Sequence, residues 1–329
     1  MVDKIDEALL EVRDLKTYFF TKAGIVKAVD GVSFSLQEGE ALGLAGESGC
    51  GKSITCTSIV RLLPKPAGRI VGGQIIFEGE DILQKPESEM ANIRGKKIGM
   101  ILQDPLMSLN PVFTIGDQVG ETFRLDNIRG ALVRQKSIDV LNSVKIPSAA
   151  ERLGSYPFQF SGGMRQRTAA AIAIARTPKL LIADEPTTSL DVTIQDQFLK
   201  LLKEMQKKNN MALILVTHDL GIVAEVCDRV AIMYAGRIVE IGSVRRVYEN
   251  PLHPYTQALM QAIPRLNRKA RRLFQIEGEP PNPARLPSGC YFHPRCFKAM
   301  DICRTEYPPV TLVNNDGYVA CWLMQKEKT

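Results

Sequence analysis

Long hydrophobic runs are missing from this 329-residue sequence. No apolar stretch approaches the about 18 residues that a membrane-spanning helix needs, although 45% of the residues are hydrophobic. A signal peptide is also absent, because the first residues, MVDKIDEALLEV, do not place an apolar segment after a positive one. We therefore expect a protein that is neither membrane-spanning nor exported, and whose thiols meet a reducing compartment.

A strong charge of either sign is lacking as well. The formal net charge is +6, and much of the excess lies in one run, RLNRKARRL at 265–273. Such a run favours a solvated linker or helix face, with proximity to an anionic membrane surface as the alternative. Nucleic acid is not expected as a partner.

Apolar segments and turn residues predict an α/β fold without internal repeats. Short alternating segments over 8–45 predict strands, and an apolar strand, a glycine-rich loop and a helix begin at 41. The segments at 98–102, 179–184 and 212–217 are apolar throughout, as in parallel strands that are covered on both faces.

The rest of the chain predicts a helical insertion, a hairpin and a tail. Residues 104–160 are polar and helix-prone with no comparable strand, whereas 230–242 predict a hairpin and 251–264 a helix between prolines. The proline-rich segment EGEPPNPARLP then marks a boundary. We predict one domain over 1–264 and a separate C-terminal region over 265–329.

The stretch GESGCGKS at 46–53 fits the phosphate-binding P-loop, G-x-x-x-x-G-K-[ST], in its required place between a strand and a helix. Its glycines allow backbone amides to surround phosphates at a helix N-terminus. Lys52 would neutralise the β- and γ-phosphate oxygens, and Ser53 would ligate Mg²⁺. The predicted nucleotide-binding residues here are Gly46, Glu47, Ser48, Gly49, Cys50, Gly51, Lys52, Ser53 and Ile54.

Polar residues follow two further predicted strands. Asp184 ends KLLIAD, where P-loop proteins hold Mg²⁺ through water, and Glu185 comes next and would polarise the attacking water. His218 follows ALILVT and would face the γ-phosphate, although a lone histidine is more often structural.

The segment FSGGMRQR at 160–167 resembles the signature of ABC-type ATPases, usually Leu-Ser-Gly-Gly-Gln. The ordered set of P-loop, Gln103, signature, Asp184–Glu185, Ser189-Leu190-Asp191 and His218 is similar to that family's nucleotide-binding domain over roughly residues 8–260. The resemblance implies a P-loop, RecA-like α/β domain with an N-terminal antiparallel β subdomain and a helical subdomain at about 104–160. A small cysteine-rich region would follow this domain.

Family resemblance also assigns roles across a head-to-tail dimer. Ser161, Gly162 and Gly163 would serve the partner's ATP, and Asp191 would shape the dimer contact. Gln103 would sense Mg²⁺. An aromatic residue before the first core strands would stack on adenine, and among Tyr18, Phe19 and Phe20 the spacing favours Phe19, with a buried strand residue as the alternative. Phe160 and Met164 depart from the usual signature, which we expect to alter packing or rate only.

Three segments resemble the ATPase subunits of dipeptide, oligopeptide and nickel importers. They are QDPLMSLNPVFTIG at 103–116, NPLHPYTQALMQAIP at 250–264 and RLPSGCYFHPRC at 285–296. The resemblance implies a peripheral subunit at the cytoplasmic face of the membrane. Its partners would be a second ATPase subunit, with a homodimer possible in isolation, two transmembrane permeases and, indirectly, an extracytoplasmic binding protein.

Other functions remain open at this point. The cargo would be a dipeptide or oligopeptide, with nickel or an oligosaccharide as the alternative. A non-transport ABC ATPase usually has two ATPase domains or a long coiled-coil insertion, and the sequence has neither. A P-loop module that binds ATP without hydrolysis is disfavoured by Glu185 and His218.

Four of the seven cysteines gather near the end, at Cys290, Cys296, Cys303 and Cys321. A reducing compartment disfavours disulfides, which leaves a metal site. Zinc sites usually use tight C-x2-C pairs, whereas these wider gaps suit a larger object such as an iron–sulfur cluster. Zinc or no metal stays open from the residues alone. Resemblance to the importer subunits, some of which carry a [4Fe-4S] cluster here, implies that cluster.

Overall fold

The structure is a computed structural model that describes residues 8–104, 108–188, 190–263, 275–314 and 316–326. The basic run predicted at 265–273 lies outside these residues, as does Ser189. The chain divides into two compact units. Unit 1 comprises Met1–Leu36, Ala41–Leu83 and Thr217–Thr329, and unit 2 comprises Gln37–Glu40 and Gln84–Val216.

The described residues form strands and helices whose order along the chain is partly alternating. The strands are β1 (Leu10–Thr21), β2 (Gly24–Leu36), β3 (Ala41–Ala45), β4 (Gly68–Phe77), β5 (Glu80–Asp81), β6 (Ile98–Ile101), β7 (Leu180–Asp184), β8 (Ala212–Thr217), β9 (Arg229–Tyr234), β10 (Arg237–Ser243), β11 (Val310–Leu312) and β12 (Tyr318–Ala320). The helices are α1 (Lys52–Ile59), α2 (Glu87–Ile93), α3 (Ile115–Arg124), α4 (Ala131–Ser143), α5 (Ala149–Arg152), α6 (Gly162–Ile174), α7 (Val192–Lys208), α8 (Leu220–Val226), α9 (Val244–Glu249), α10 (Pro254–Ala262), α11 (Ile302–Thr305) and α12 (Leu323–Lys326).

Unit 1 contains an antiparallel sheet in the order β2-β1-β4-β5. Its register pairs Leu10 with Leu36 and Phe19 with Val26. A second set of strands runs in the order β11-β12-β10-β9-β3, in which β3 and β9 are parallel and β9 and β10 form the predicted hairpin. Every residue of β3 is buried, as expected of an apolar strand covered on both faces.

Unit 2 contains the parallel strands β6, β7 and β8 and the helices α2 to α7. Within the described part of 104–160 there are helices and no strand, as the sequence predicts. The apolar face of α7 is buried through Phe198, Leu202 and Met205, which recur at helical spacing.

The tail lacks a large core and packs on the rest of unit 1. Its strand β12 pairs antiparallel with β10, with Val319 opposite Glu240. Phe292 is 1% exposed, and its ring lies 5.1 Å from that of Tyr234 and 5.3 Å from that of Tyr255. Among the helices described for this chain, none is long and apolar enough to cross a membrane.

Candidate functional site

The P-loop connects β3 to α1 in unit 1, and two of its glycines are required by close approach of other backbone. Gly46 has φ 151°, and a Cβ there would lie 2.2 Å from the Met233 carbonyl oxygen. Gly51 has φ 107°, and a Cβ there would lie 2.3 Å from the Ala28 carbonyl oxygen. Only glycine accepts such positions, so the loop can turn its amides toward a phosphate chain.

Lys52 is the first residue of α1 and is 4% exposed. Its Nζ donates to the carbonyl oxygens of Gly46 at 2.9 Å and Glu47 at 3.1 Å. The ammonium group therefore lies against the loop that it serves. Ser53 and Ile54 follow in the first turn of α1, where helix N-termini favour anions.

Glu47 is held by two residues that the sequence analysis did not identify. Its backbone N–H donates to the Tyr255 hydroxyl at 2.9 Å. Its carboxylate accepts from both terminal nitrogens of Arg295, at 2.6 and 2.9 Å. This pairing raises the pKa of the Arg295 guanidinium above its ordinary value, because the carboxylate stabilises the charged form.

Of the three aromatic candidates for the base, Phe19 lines a cavity of about 170 Å³ beside the P-loop residues Glu47 to Cys50. The Tyr18 hydroxyl donates to Asp30 at 2.6 Å, and Phe20 is 42% exposed with Arg69 over its ring at 5.3 Å. Both neighbours are thus engaged elsewhere.

The carboxylates of unit 2 stand at the end of β7. Asp184 is the last residue of the strand and is buried. Glu185 follows in a left-handed conformation with φ 42°. Its Oε2 accepts from Gln103 Nε2 at 3.2 Å and from the Thr188 hydroxyl at 3.0 Å. The structure therefore brings Gln103 and Glu185 together.

His218 is exposed directly before the cap of α8 in unit 1. The cap is Asp219, whose Oδ1 accepts from the Gly221 N–H at 2.7 Å. An exposed imidazole at a strand end suits contact with a ligand rather than a role in the core.

The signature residues lie at the N-terminus of α6 in unit 2. Ser161 is the exposed N-cap, and its Oγ accepts from the Met164 N–H at 3.3 Å. Gly163 is required by close packing, since a Cβ there would lie 2.7 Å from Ile194 Cγ2. Asp191 caps α7 in the same way, with Oδ1 accepting from Ile194 N–H at 3.1 Å. Phe160 is 2% exposed, so this departure from the usual signature fills the core.

The four clustered cysteines all lie in unit 1. None of them is in a disulfide, and the Cys290 N–H donates to the Cys303 carbonyl at 2.9 Å. Burial raises the pKa of the Cys290 thiol to about 12 and that of Cys321 to about 11, and Cys296 and Cys303 add to each rise. Within the described ranges, no group of three or more His, Cys, Asp or Glu side chains is arranged to hold a single metal ion.

Two family descriptions match parts of this chain. Residues 29–188 match the family "ABC transporter", and residues 239–303 match "Oligopeptide/dipeptide transporter, C-terminal region". The chain is 46% identical over 321 residues to the "Dipeptide transport ATP-binding protein DppD" of Bacillus subtilis (strain 168), covering 97% of this chain and 96% of that protein. It is 48% identical to the "Oligopeptide transport ATP-binding protein OppD" of Escherichia coli (strain K12), covering 92% and 89%.

Solved structures agree in fold. "Dimeric Structure of MJ0796, a Bacterial ABC Transporter Cassette" is 25% identical with a TM-score of 0.63, covering 72% of this chain and 99% of that chain. The structure of cbiO1 from Clostridium perfringens, part of the ABC transporter complex cbiONQ, is 26% identical with a TM-score of 0.62, covering 74% and 91%.

Proposed function

Because the chain belongs to the ATP-binding proteins of ABC transporters, we propose that its ATP hydrolysis drives the import of dipeptides and oligopeptides. The observation that carries this proposal is the preformed P-loop, in which Lys52 is already buried against the loop carbonyls. The match of residues 239–303 to a peptide-transporter region supports the cargo class.

In this proposal the P-loop binds ATP and Glu185 activates water. Lys52 and the loop amides neutralise the phosphates. The Glu185 carboxylate accepts a proton as the water oxygen attacks the γ-phosphorus, and the bond to the β–γ bridging oxygen breaks to release ADP. Asp184 and Glu185 lie at the end of β7 as such a role requires, and His218 would contact the γ-phosphate.

Mg²⁺ would be held by Ser53 and Gln103, which offer the hydroxyl and amide oxygens that this cation prefers. When bound, the ion neutralises charge on the β- and γ-phosphates. The Gln103 amide is already oriented by its bond to Glu185. The link gives Gln103 a means to couple ion binding to the position of the carboxylate.

Each site would be completed by a second ATPase subunit. Ser161, Gly162 and Gly163 form an exposed helix N-terminus that suits the γ-phosphate of ATP bound to the partner. The partner is a related subunit, with a homodimer possible in isolation, since this chain carries both halves of a site. Asp191 would lie at the dimer contact.

We assign the docking of permeases to an exposed apolar patch on unit 2, formed by Val112, Phe113, Tyr156 and Phe158. Phe158 is 69% exposed and Val112 71%. The Ile115 N–H donates to the Ser155 carbonyl at 2.8 Å, which brings the two segments side by side. An exposed apolar patch of this kind is typical of a surface that contacts another protein. In our proposal, permease helices at the cytoplasmic face of the membrane pack against it.

Copurification tests this surface. The double variant Phe113→Ser and Phe158→Ser should lose the coexpressed permeases, because it removes the aromatic contacts. Leu125→Ser is the matched control, since Leu125 is 67% exposed beyond the end of α3. Permeases that stay with the double variant would contradict the assignment.

For the tail we propose a [4Fe-4S] cluster on Cys290, Cys296, Cys303 and Cys321. Four thiols that are outside any disulfide and influence one another's pKa support such a cluster, whose ligands are cysteines, while the described residues show no group already arranged to hold a metal ion. The cluster would staple a region too small to fold alone. Protein purified without oxygen should contain iron and acid-labile sulfide in near-equal amounts. Cys303→Ser should lose both and Cys56→Ser neither. Zinc without sulfide, or a folded metal-free tail, would refute the cluster and leave the ATPase assignment intact.

A further inference from the structure

The C-terminal region closes one side of the small cavity beside the P-loop. The cavity of about 170 Å³ is lined by Glu47 to Cys50 of the loop, by Phe19, and by Pro280, Pro281 and Pro283 of the tail. It is smaller than the about 300 Å³ of a complete small-molecule site. The space therefore suits one part of a nucleotide, and an aromatic ring with apolar walls suits its flat base.

The proline segment is hydrogen-bonded to β2, a strand that also lines the cavity. The Lys27 N–H in β2 donates to the Pro283 carbonyl at 3.1 Å. Asn282 closes a local turn, since its Oδ1 accepts from the Ala284 N–H at 2.9 Å and its carbonyl from the Arg285 N–H at 2.8 Å. Proline rings also restrict φ, which limits the backbone conformations open to this wall.

Arg295 contacts the P-loop, the segment before the prolines and Tyr234 of β9. Its guanidinium donates to both Glu47 carboxylate oxygens at 2.6 and 2.9 Å, and its Nε donates to the Glu277 carbonyl at 3.0 Å, just before the prolines. It also lies over the Tyr234 ring at 5.8 Å. Because the Arg295 side chain is only 5% exposed, this two-pronged ion pair is shielded from water.

We propose that Pro280 to Pro283 form the wall of the nucleotide site that faces the base, and that Arg295 is a positioning residue that locks this wall to the P-loop. The proposal rests on the ATP binding assigned above. It makes the C-terminal region part of the nucleotide site and not only a structural tail. The wall contacts the base, whereas Arg295 acts through Glu47.

Calorimetric titration with two probes separates these roles. ATP presents base and phosphates, whereas inorganic tripolyphosphate presents phosphates alone. With full-length protein, Pro281→Gly combined with Pro283→Gly should weaken ATP binding about fivefold and leave tripolyphosphate binding unchanged, because only contacts to the base are lost. Phe19→Ala should do the same. Pro309→Gly and Phe20→Ala, at exposed positions outside the cavity lining, are the controls.

Arg295→Gln should weaken both probes, because the freed loop presents its amides poorly to phosphate. Arg295→Lys should bind both probes better than Arg295→Gln, since lysine keeps the positive charge but cannot make the two parallel hydrogen bonds of the guanidinium. Arg285→Gln, at an exposed arginine of the same segment, should change neither.

The outcomes distinguish the possible failures. Proline variants that bind ATP like the unchanged chain, or that lose both probes equally, would contradict the wall. If the double proline variant does not fold, Pro283→Ala serves with the same expected direction. An Arg295→Gln variant that binds both probes normally would contradict the positioning role. An unchanged chain that binds tripolyphosphate but not ATP would contradict the wall and the proposed ATP site together.

Discussion

Glu185 has φ 42°, a backbone conformation that non-glycine residues seldom adopt. The conformation directs its carboxylate to Gln103 and Thr188, and its N–H donates to the Val216 carbonyl at 3.0 Å. Unusual backbone conformations cluster at functional sites, where the surrounding contacts sustain them. The geometry is consistent with a carboxylate held in place for one chemical step.

Replacement of this carboxylate should separate binding from chemistry. Glu185→Gln should retain ATP affinity and lower turnover by about two to four orders of magnitude, because an amide cannot accept the proton from water. Lys52→Ala should instead lower ATP affinity, since it removes a phosphate contact. Phosphate release and equilibrium binding measure the two effects. Undiminished hydrolysis by Glu185→Gln would refute its role.

For single residues, the sequence predicts those that belong to local motifs. It does not predict the residues, distant in the sequence, that hold these motifs in place. The P-loop lysine and the carboxylate after β7 follow from short patterns that require a particular backbone. Arg295 and Tyr255 do not, because they reach Glu47 from 248 and 208 residues away. No local pattern encodes such a contact, although the importer-like segments at 250–264 and 285–296 include both residues.

Helix α10 shows that a whole element can be predicted from the sequence when the residue that caps it cannot. Its flanking prolines predict the helix, but the cap could not be predicted. His253 caps it, with Nδ1 accepting from the Tyr255 N–H at 3.0 Å. Because this ring must accept, it is neutral, and burial lowers the pKa of His253 from 6.5 to about 3.

The cap should make stability depend on pH. Between pH 6.5 and about 3 the unfolded chain binds a proton at His253 that the folded chain does not, so stability falls as the pH falls through that window. The loss is about 1.4 kcal/mol per pH unit. The variant His253→Asn retains a residue that can cap the helix but has no side chain that binds a proton in this pH range. Below pH 6, the urea midpoint of the variant should therefore rise relative to that of the unchanged protein. A constant difference would contradict a neutral buried His253.

Most strands of the main sheets could be predicted because each holds an apolar run or an alternation. The sequence analysis did not predict β4, which contains three glycines, or the two-residue β5. The tail strands β11 and β12 have three residues each, which is too few to show the alternation of apolar and polar residues that predicts a strand. Their pairing follows instead from the open edge of β10. The cysteine cluster was visible in the sequence, but its position beside the segment that holds the P-loop was not.

At the scale of the whole molecule, the proposed dimer divides each ATP site between two chains. The isolated chain should then hydrolyse ATP with a rate per subunit that rises with protein concentration, because in our proposal each site takes its signature from a second chain. Addition of the related subunit should restore activity at low concentration. Turnover that is independent of concentration in a proven monomer would contradict the shared site.

Uptake of labelled dipeptides by cells tests the central claim most directly. Cells whose chromosomal copy carries Glu185→Gln should lose peptide uptake and keep free amino-acid uptake. Glu204→Gln, at an exposed residue that pairs with Lys145 at 2.6 Å, is the matched control and should keep both. Peptide uptake that is unchanged by Glu185→Gln would contradict the proposal that this chain drives peptide import.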